Sequence, residues 1–359
     1  MLNFAVRMET EFKRHLTEAD AAKWHALVDG ARHVVVVGHA NPDGDAVGAV
    51  LAMTLYLRSL GKDVRALIPN RQPDFLNWLP GASELINAEY QRPLAVGLLT
   101  GADLVMCLDF SSPSRTESLA DLLMSVTAPV ILIDHHLEPA PMPYALTLSD
   151  PSASATCQII FCLLRELGYY PSMPLSVAEC LYCGIMTDTG ALTYNSSDPG
   201  LFLIVSALLL KGVDKDRIYR SVYHSYSIDR LRLVGHVLAD NLIYDPILHA
   251  AHFTLSRKEM LRFNFKKGDA EGLVNLPLQL KGCVLSVSMR EDTRLPDIHI
   301  SLRSVGSFSC QPMAARFFGG GGHANASGGR LRGATLSEAR EVLREALKAY
   351  APLLSRARP

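Results

Sequence analysis

The sequence predicts an α/β protein: an N-terminal domain built on a doubly wound parallel sheet, and a smaller C-terminal α/β domain with a mixed sheet, joined by a helical connector. Two observations lead to this prediction. Short apolar runs typical of buried strands alternate with helix-like stretches through the first half of the chain. Further strand-like runs return after a long helical stretch. The chain has 359 residues, of which 48% are hydrophobic, which is enough for two cores.

The first domain is predicted over residues 10–197. Its strands are continuous apolar runs bounded by turns, as in a parallel sheet that is covered on both faces. Its helices show helical spacing of apolar residues, and one of them stops at Gly61. The predicted strands are residues 33–37, 63–68, 104–108 and 130–133, and the predicted helices are residues 10–29, 46–60, 154–167 and 175–186.

The rest of the chain is predicted to form a connector and a second domain. Residues 198–241 have a charged, helical pattern interrupted by Gly212 and Gly235, which is typical of a helical connector. The second domain is predicted over residues 242–352. It contains three candidate strands, a glycine-rich loop and a final helix that begins at Leu336. The strands are residues 252–255, 283–289 and 297–302, and the loop is residues 318–329.

Composition excludes several classes of protein. The chain has 35 basic and 36 acidic residues, and this balance argues against binding long nucleic acid by charge alone. Acidic residues near the N-terminus, such as Glu9 and Glu11, are not those of a signal peptide, and no apolar run reaches the roughly 20 residues of a membrane span. Seven cysteines without a disulfide framework suit a reducing compartment, so we expect a cytoplasmic location.

Carboxylates and histidines follow three of the predicted strands. In an open parallel sheet the carboxyl ends of the strands form one rim, which is where ligands bind. We therefore expect these side chains to converge, and a carboxylate at the end of a later helix could join them. The strand-end residues are His39, Asp43, Asp45, Asp109, Asp134, His135 and His136, and the helix-end residue is Asp188.

Such a group of carboxylates cannot stay ionised in a dry rim without a counter-charge, so either some hold protons or cations lie among them. Mixed Asp and His ligands suit Mn²⁺ above all, with Mg²⁺, Co²⁺ or Zn²⁺ as alternatives. Six ligands are too many for one tetrahedral ion and suit two ions. Taken alone, Asp43 in Asn-Pro-Asp-Gly is more typical of a turn, and Asp134-His135-His136 is equally compatible with a surface loop. Their joint occurrence at three strand ends favours the metal site.

These motifs resemble the Asp-His-His (DHH) phosphoesterase family. Its first motif corresponds to residues 39–45, its second to Asp109 followed by Arg115, its third to residues 134–136, and its fourth to Asp188. The second domain is similar to the DHH-associated domain, with Arg303-Ser304 and then Gly319-Gly320-Gly321-Gly322-His323. The resemblance covers residues from about 30 to 335. It is strongest to the compact two-domain branch of nanoRNases and pAp phosphatases.

The resemblance implies a role for each residue. One Mn²⁺ would be held by His39, Asp43 and Asp109. The other would be held by Asp45, Asp109, His135 and Asp188, so that Asp109 bridges the two ions. Asp134 would orient a histidine, and His136 would face the scissile phosphate. Arg115 would bind substrate.

The glycine-rich loop has a physical interpretation of its own. Consecutive glycines let backbone N–H groups approach an anion closely, although a flexible turn is the more common explanation of such a run. His323 adds a donor and Arg303 adds a planar fork suited to phosphate. With the resemblance, this segment predicts substrate contacts from Arg303, Ser304, Gly321, Gly322 and His323.

Together these features predict a phosphodiesterase with two Mn²⁺ ions that degrades short single-stranded oligonucleotides and linear dinucleotides, and also acts on 3′-phosphoadenosine 5′-phosphate. Mg²⁺ or Co²⁺ would substitute for Mn²⁺. Long duplex nucleic acid and membranes are not expected partners, and a homodimer is compatible with the sequence. The alternatives are an inorganic pyrophosphatase or exopolyphosphatase, and a catalytically silent nucleotide sensor.

Overall fold

The computed structural model describes residues 12–137, 139–266 and 268–358. Contacts divide the chain into two compact units, with the boundary between Ser225 and Tyr226. This boundary falls inside the predicted connector, residues 198–241, so that two of its helices belong to the first unit and one belongs to the second. Among the described residues, no helix has both the length and the apolar character needed to cross a membrane.

The first unit is a parallel six-stranded sheet with helices on both faces, which confirms the predicted fold class. The strand order is β3-β2-β1-β4-β5-β6. The strands are β1 His33–Val37, β2 Asp63–Ile68, β3 Ile86–Asn87, β4 Leu104–Leu108, β5 Val130–Asp134 and β6 Leu146–Ser149. The helices are α1 Glu18–Gly30, α2 Gly44–Ser59, α3 Arg92–Thr100, α4 Ala120–Ser125, α5 Thr156–Glu166, α6 Leu175–Asp188, α7 Pro199–Leu210 and α8 Lys215–Tyr223.

The central strands form because both of their faces are buried. Val34 and Val36 of β1 pack into the larger core with α2, α5 and α6, whereas Val35 and Val37 pack into a second core on the opposite face. A continuous apolar run places apolar side chains on both faces of the strand, which is the pattern of a parallel sheet covered on both sides. Strands β2 and β3 lie on one side of β1, and β4, β5 and β6 lie on its other side, so the strand order reverses between β1 and β4. Sheets of this kind bind ligands at the position of such a reversal.

Close packing of α2 against α6 sets the position of the carboxylates at this rim. A Cβ atom at Gly48 would lie 2.5 Å from the carbonyl oxygen of Cys180, and one at Gly44 would lie 2.2 Å from Oγ1 of Thr187. Glycine is therefore required at both positions by the approach of the helices rather than by backbone conformation. The contact brings the start of α2 beside the end of α6.

Helix α1 starts later than the sequence predicts. The prediction began at residue 10, and residues 10 and 11 lie outside the described residues. In the structure the helix begins at Glu18, because Thr17 and Asp20 form a capping box. The short strands β3 and β6 were not predicted either, since each depends on pairing with a neighbour rather than on a long apolar run.

The second unit is a mixed six-stranded sheet in the order β11-β12-β10-β9-β8-β7. Strands β8 and β9 are parallel and the other pairs are antiparallel. The strands are β7 Ile243–Asp245, β8 Ala250–Leu255, β9 Leu285–Glu291, β10 Ile298–Ser304, β11 Gly321–Gly322 and β12 Ala326–Leu331. The helices are α9 Ile228–His236, α10 Arg257–Arg262, α11 Gln311–Phe318 and α12 Leu336–Leu354.

The glycine-rich segment is a β-hairpin rather than the open loop that the sequence predicts. Gly321 and Gly322 pair with Gly328 and Ser327, and the N–H of His323 donates to the carbonyl of Ala326 over 2.8 Å. Gly322 has a φ of 133°, a conformation that favours glycine. The segment therefore uses much of its backbone for pairing, and its strands carry too few large side chains to be predicted from an apolar pattern.

Candidate metal centre

His39 and Asp43 lie beyond the end of β1. His39 is buried, and its Nδ1–H donates to the carbonyl oxygen of Ala40 over 2.8 Å, so that the lone pair of the neutral ring is at Nε2. Asp43 is the N-cap of α2, and its Oδ1 accepts from the N–H groups of Asp45 and Ala46, each at 3.0 Å. Its other oxygen lies 3.8 Å from His39 Nε2. The cap thus aims one carboxylate oxygen at the histidine.

Asp45 is held by the first turn of α5. Its Oδ2 accepts from the N–H of Thr156 at 2.6 Å, and its Oδ1 accepts from the N–H of Cys157 at 3.0 Å. These amides have no partner within the helix at its N-terminus, and they favour a negative charge there. The carboxylate is buried, with Oδ2 3.9 Å from Nε2 of His135.

Asp109 follows β4 and lies between the two groups of ligands. Its Oδ2 is 3.5 Å from Nε2 of His39, and its Oδ1 is 3.5 Å from Nε2 of His135. Thr156 donates its hydroxyl to Oδ1 over 2.9 Å. The two oxygens of one buried carboxylate therefore face two different histidines, an arrangement suited to a bridging ligand.

The first residue of the Asp-His-His motif, Asp134, is the last residue of β5, and His135 and His136 follow the strand. Each of the three has a different environment. His135 is buried, and its Nδ1–H donates to the carbonyl oxygen of Ala153 over 3.2 Å, which leaves Nε2 facing Asp188 Oδ2 at 3.4 Å. His136 donates its Nδ1–H to Asp134 Oδ1 over 2.7 Å. Asp188 is the last residue of α6, as predicted.

Charge crowding dominates the electrostatics of this centre. Burial, followed by the neighbouring carboxylates of Asp45 and Asp43, raises the pKa of Asp109 well above its ordinary value. Burial alone would lower the pKa of His135, but the carboxylates of Asp188 and Asp45 outweigh it and raise that pKa. The carboxylates therefore compete for positive charge, and a cation would relieve their repulsion.

The donor set fits divalent metal ions. Three groups of potential ligand atoms lie close together in this unit, and all three contain Asp109: His39, Asp43 and Asp109; Asp45, Asp109 and His135; and Asp109, Asp134 and His136. The first two of these groups are the ones predicted to hold metal ions. Both histidines present Nε2 to the centre while Nδ1 is held by a carbonyl, which is how metal-binding histidines are commonly oriented. Two groups that share Asp109 match the chemistry of a pair of ions.

Thr156 and the carbonyl groups that orient the histidines were not predicted from the sequence. Thr156 lies on a helix far along the chain from the strand ends, and nothing in its local sequence signals a contact with Asp109. Arg115 was predicted, and it lies on an exposed turn where its carbonyl accepts from the N–H of Ala40 over 2.8 Å. Its positive charge helps to lower the pKa of His39, an effect smaller than that of burial.

The predicted substrate-binding residues of the second unit lie at the end of β10 and in the hairpin. Arg303 is half-buried and donates from Nη1 to the carbonyl of Leu302 over 3.0 Å. Ser304 is buried, and its hydroxyl donates to the carbonyl of Phe308 while accepting from Asn325 Nδ2. The fold therefore uses the Ser304 hydroxyl to fix the loop after β10. The other predicted contacts, Gly321, Gly322 and His323, belong to the hairpin that pairs with β12.

Comparison with protein families gives two matches. Residues 33–185 match the N-terminal domain of the DHH family, and residues 250–350 match the DHHA1 domain. The first match contains the ligands from His39 to His135, and the second contains Arg303 and the hairpin.

Individual proteins are similar over nearly the whole chain. The bifunctional oligoribonuclease and PAP phosphatase NrnA of Thermus thermophilus is 32% identical over 88% of this chain and 89% of its own length. The solved structure of an exopolyphosphatase-related protein from Bacteroides fragilis has a TM-score of 0.90 at 40% identity, covering 96% of this chain and 100% of that one. RecJ of Thermus thermophilus in complex with Mn²⁺ has a TM-score of 0.52 at 17% identity, covering 94% of this chain and 54% of RecJ, and this likeness concerns the fold alone.

Proposed function

The chain belongs to the DHH family and is a hydrolase of phosphoester bonds; on that premise we propose that it uses two Mn²⁺ ions to degrade short single-stranded oligonucleotides to mononucleotides and to dephosphorylate 3′-phosphoadenosine 5′-phosphate. The observation that carries the metal part is the position of Asp109 between two histidines. The substrate part is supported by the similarity to the NrnA protein of Thermus thermophilus along nearly its full length.

The ligands divide between two ions in this proposal. One ion would be held by His39, Asp43 and Asp109, and the other by Asp45, Asp109, His135 and Asp188. When bound, such ions neutralise charge on the phosphoryl group and make water a better nucleophile. Mg²⁺ or Co²⁺ would replace Mn²⁺ with lower activity. The mixed set of Asp and His donors supports this choice of metal.

His136 is assigned the role of proton donor. Its Nδ1–H is held by Asp134, a fully buried carboxylate, so the ring is fixed in orientation. In the protonated ring, Nε2–H would donate to the leaving oxygen of the substrate, and the Asp134 carboxylate would stabilise the positive charge. Asp134 thus acts through His136 in this proposal.

Substrate binding is assigned to arginine and hairpin residues. Arg303 and Arg115 supply guanidinium groups for phosphate, and Ser304, Gly321, Gly322 and His323 shape the remainder of the binding surface. A net charge of −1 argues against binding long strands or duplexes by charge alone, which supports short substrates. A cytoplasmic location and a homodimer remain predictions.

Polyphosphate hydrolysis is the second candidate function. It is favoured by the similarity to the Bacteroides fragilis protein, which is described as exopolyphosphatase-related. A silent nucleotide sensor is less well supported, because simple recognition of a nucleotide does not require several converging carboxylates and histidines.

A substrate panel tests these functions. We expect labelled RNA of about two to four nucleotides to be hydrolysed faster than strands of about twenty, with intermediates visible and with activity lost after chelation of the metal. The panel includes 3′-phosphoadenosine 5′-phosphate, pyrophosphate and polyphosphate. Faster turnover of polyphosphate than of dinucleotides would contradict the nucleotide proposal, and no hydrolysis of any substrate with Mn²⁺ would favour the sensor.

A further inference from the structure

The second unit contains a cavity that the proposed function does not use. Its volume is ≈ 580 Å³, which lies within the range of pockets for small organic ligands. It is formed around the end of β8, the helix α10, the end of α9 and the beginning of α12. The lining residues used below are His236, Thr254, Lys258, Glu259, Arg262 and Arg340.

Three cations line this cavity without a carboxylate partner among the described residues. Lys258 and Arg262 are four positions apart on α10 and so project from the same face, where like charges repel. Arg340 comes from α12 and is oriented by donating from Nη2 to Thr254 Oγ1 over 2.7 Å. No ion pair with a described carboxylate offsets the repulsion of these charges, so an anion in the cavity would reduce it.

The nearby carboxylates are already engaged elsewhere. Glu259 Oε1 lies 2.9 Å from His236 Nε2 and accepts from Asn241 Nδ2 at 2.8 Å, and its other oxygen accepts from the hydroxyl of Ser256 at 2.5 Å. Glu341, which follows Arg340 in the chain, pairs with Arg344 instead. Glu259, the acidic residue among those that line the cavity, faces His236, and the other ring nitrogen of His236 lies 2.6 Å from Asp240 Oδ2. The hydrogen bond that His236 donates to Glu259 is the main cause of the raised pKa of His236. Both carboxylates are therefore engaged by His236 rather than by the three cations.

The register of the sheet separates this cavity from the predicted substrate residues. Leu255 at the end of β8 pairs with Arg290 of β9, which pairs with His299 near the start of β10. Arg303 lies four residues further along β10, at a distance of roughly 13 Å for an extended strand. A ligand in the cavity and a phosphate at Arg303 would therefore occupy different places on the unit.

We propose that this cavity is a second binding site, specific for a small phosphorylated molecule the size of a nucleoside monophosphate. Two guanidinium groups offer planar donor pairs that match phosphate oxygens, and Lys258 adds a mobile positive charge. The concave shape and limited volume favour a small ligand over a strand that tracks across the surface. The inference rests on the second unit alone and is independent of the proposed function.

Calorimetric titration of the full chain with AMP tests the site. Excess EDTA is present, so that the metal centre does not contribute to phosphate binding. We expect one AMP-binding event that persists in Arg303→Ala and is weakened at least about tenfold in the double variant Arg262→Ala/Arg340→Ala, since each charge-assisted contact is worth roughly a factor of ten or more. A matched double variant, Arg332→Ala/Lys348→Ala, removes two exposed charges of the same unit and should bind AMP as the unmodified chain does.

Two further ligands identify what the site recognises. Adenosine, which lacks the phosphate, should not bind measurably. Inorganic phosphate should bind more weakly than AMP, because the nucleoside contributes to binding. Phosphate that binds as tightly as AMP would contradict a site for a ligand the size of a nucleoside monophosphate. The proposal is overturned if neither AMP nor phosphate binds, if adenosine binds as well as AMP, or if Arg262→Ala/Arg340→Ala retains the affinity of the unmodified chain.

Discussion

Asp109 combines an uncommon backbone conformation with a central position among the ligands. Its φ is 65°, in the left-handed region that aspartate tolerates better than most residues, at a cost of about 1 kcal/mol. Its N–H donates to the carbonyl of Ile133 over 3.0 Å, so the end of β5 holds it in place. The conformation turns the carboxylate into the rim, where both of its oxygens face histidines.

Asp109→Asn is expected to be the most damaging single change among the ligands. An amide cannot provide a second anionic oxygen, so both ions would be affected, and we expect activity to fall by more than about a hundredfold. Asp43→Asn is the comparison, because Asp43 belongs to one group of ligands only, with His39 and Asp109, and its loss should leave one site partly formed. Initial rates of dinucleotide hydrolysis by the two variants measure this difference. An inactive Asp43→Asn beside a largely active Asp109→Asn would rule out the bridging role.

Thr156→Val tests the hydroxyl that supports Asp109. Valine keeps the shape and the backbone N–H that binds Asp45, and removes only the hydrogen bond to Asp109 Oδ1. Support of this kind typically alters activity or metal affinity by about ten- to a hundredfold, so we expect a loss of roughly tenfold that Thr156→Ser restores. Full activity of Thr156→Val, at unchanged thermal stability, would show that the contact has no role in positioning the carboxylate.

The ligand residues could be predicted from sequence because they directly follow strands whose ends share one rim. Each is adjacent to a recognisable apolar run, as Asp109 is to residues 104–108. Thr156 could not be predicted in this way, since its contact with Asp109 joins residues 47 positions apart through tertiary packing. For Ser304, the sequence shows that a hydroxyl is present, but it does not show the hydrogen bonds of this hydroxyl with Phe308 and Asn325.

Strands and helices were predictable where burial alone determines them. The runs at residues 33–37 and 104–108 coincide with β1 and β4 because both faces of these strands are covered. Strand β12 has the sequence Ala-Ser-Gly-Gly-Arg-Leu, and it exists because β10 and β11 pair with it. A Cβ atom at Gly320 would lie 1.8 Å from the carbonyl oxygen of Gly328, so the glycines allow the hairpin to close rather than keep it flexible.

The start of α10 is expected to make folding stability depend on acid pH. Burial would raise the pKa of Glu259, but hydrogen bonds from Ser256, Asn241 and His236 lower it to about 2 from its ordinary value of 4.5. A lowered pKa stabilises the fold above the unfolded value of 4.5, and this stability is lost as the pH falls towards 2. Glu259→Gln should remove that dependence.

Denaturant unfolding at about pH 5 and about pH 2.5 measures this effect. The unmodified chain should lose about 1 kcal/mol more of its unfolding free energy over this interval than Glu259→Gln, a value reduced for solvent screening of a partly exposed group. Glu345→Gln, an exposed change on α12, should follow the unmodified chain. Identical acid dependence in the unmodified chain and in Glu259→Gln would show that the capping contacts of Glu259 do not stabilise the fold.

In the proposed function the two units would carry different parts of the chemistry. The first has carboxylates and histidines at the ends of its parallel strands, and the second has Arg303 on a mixed sheet that ends in a glycine hairpin. Similarity to the NrnA protein of Thermus thermophilus covers both units, since it extends over 88% of the chain. Near-neutral net charge over the whole chain agrees with small substrates held by a few local cations rather than with long strands.

Counting the metal ions tests the central claim most directly. The chain is stripped with a chelator, saturated with Mn²⁺ and freed of excess metal, and Mn is then measured by elemental analysis and located in a crystal by anomalous scattering. The account predicts two Mn²⁺ ions per chain, roughly 3.5–4 Å apart, on either side of Asp109. At most one ion at saturation, or two ions that do not share Asp109, would contradict it.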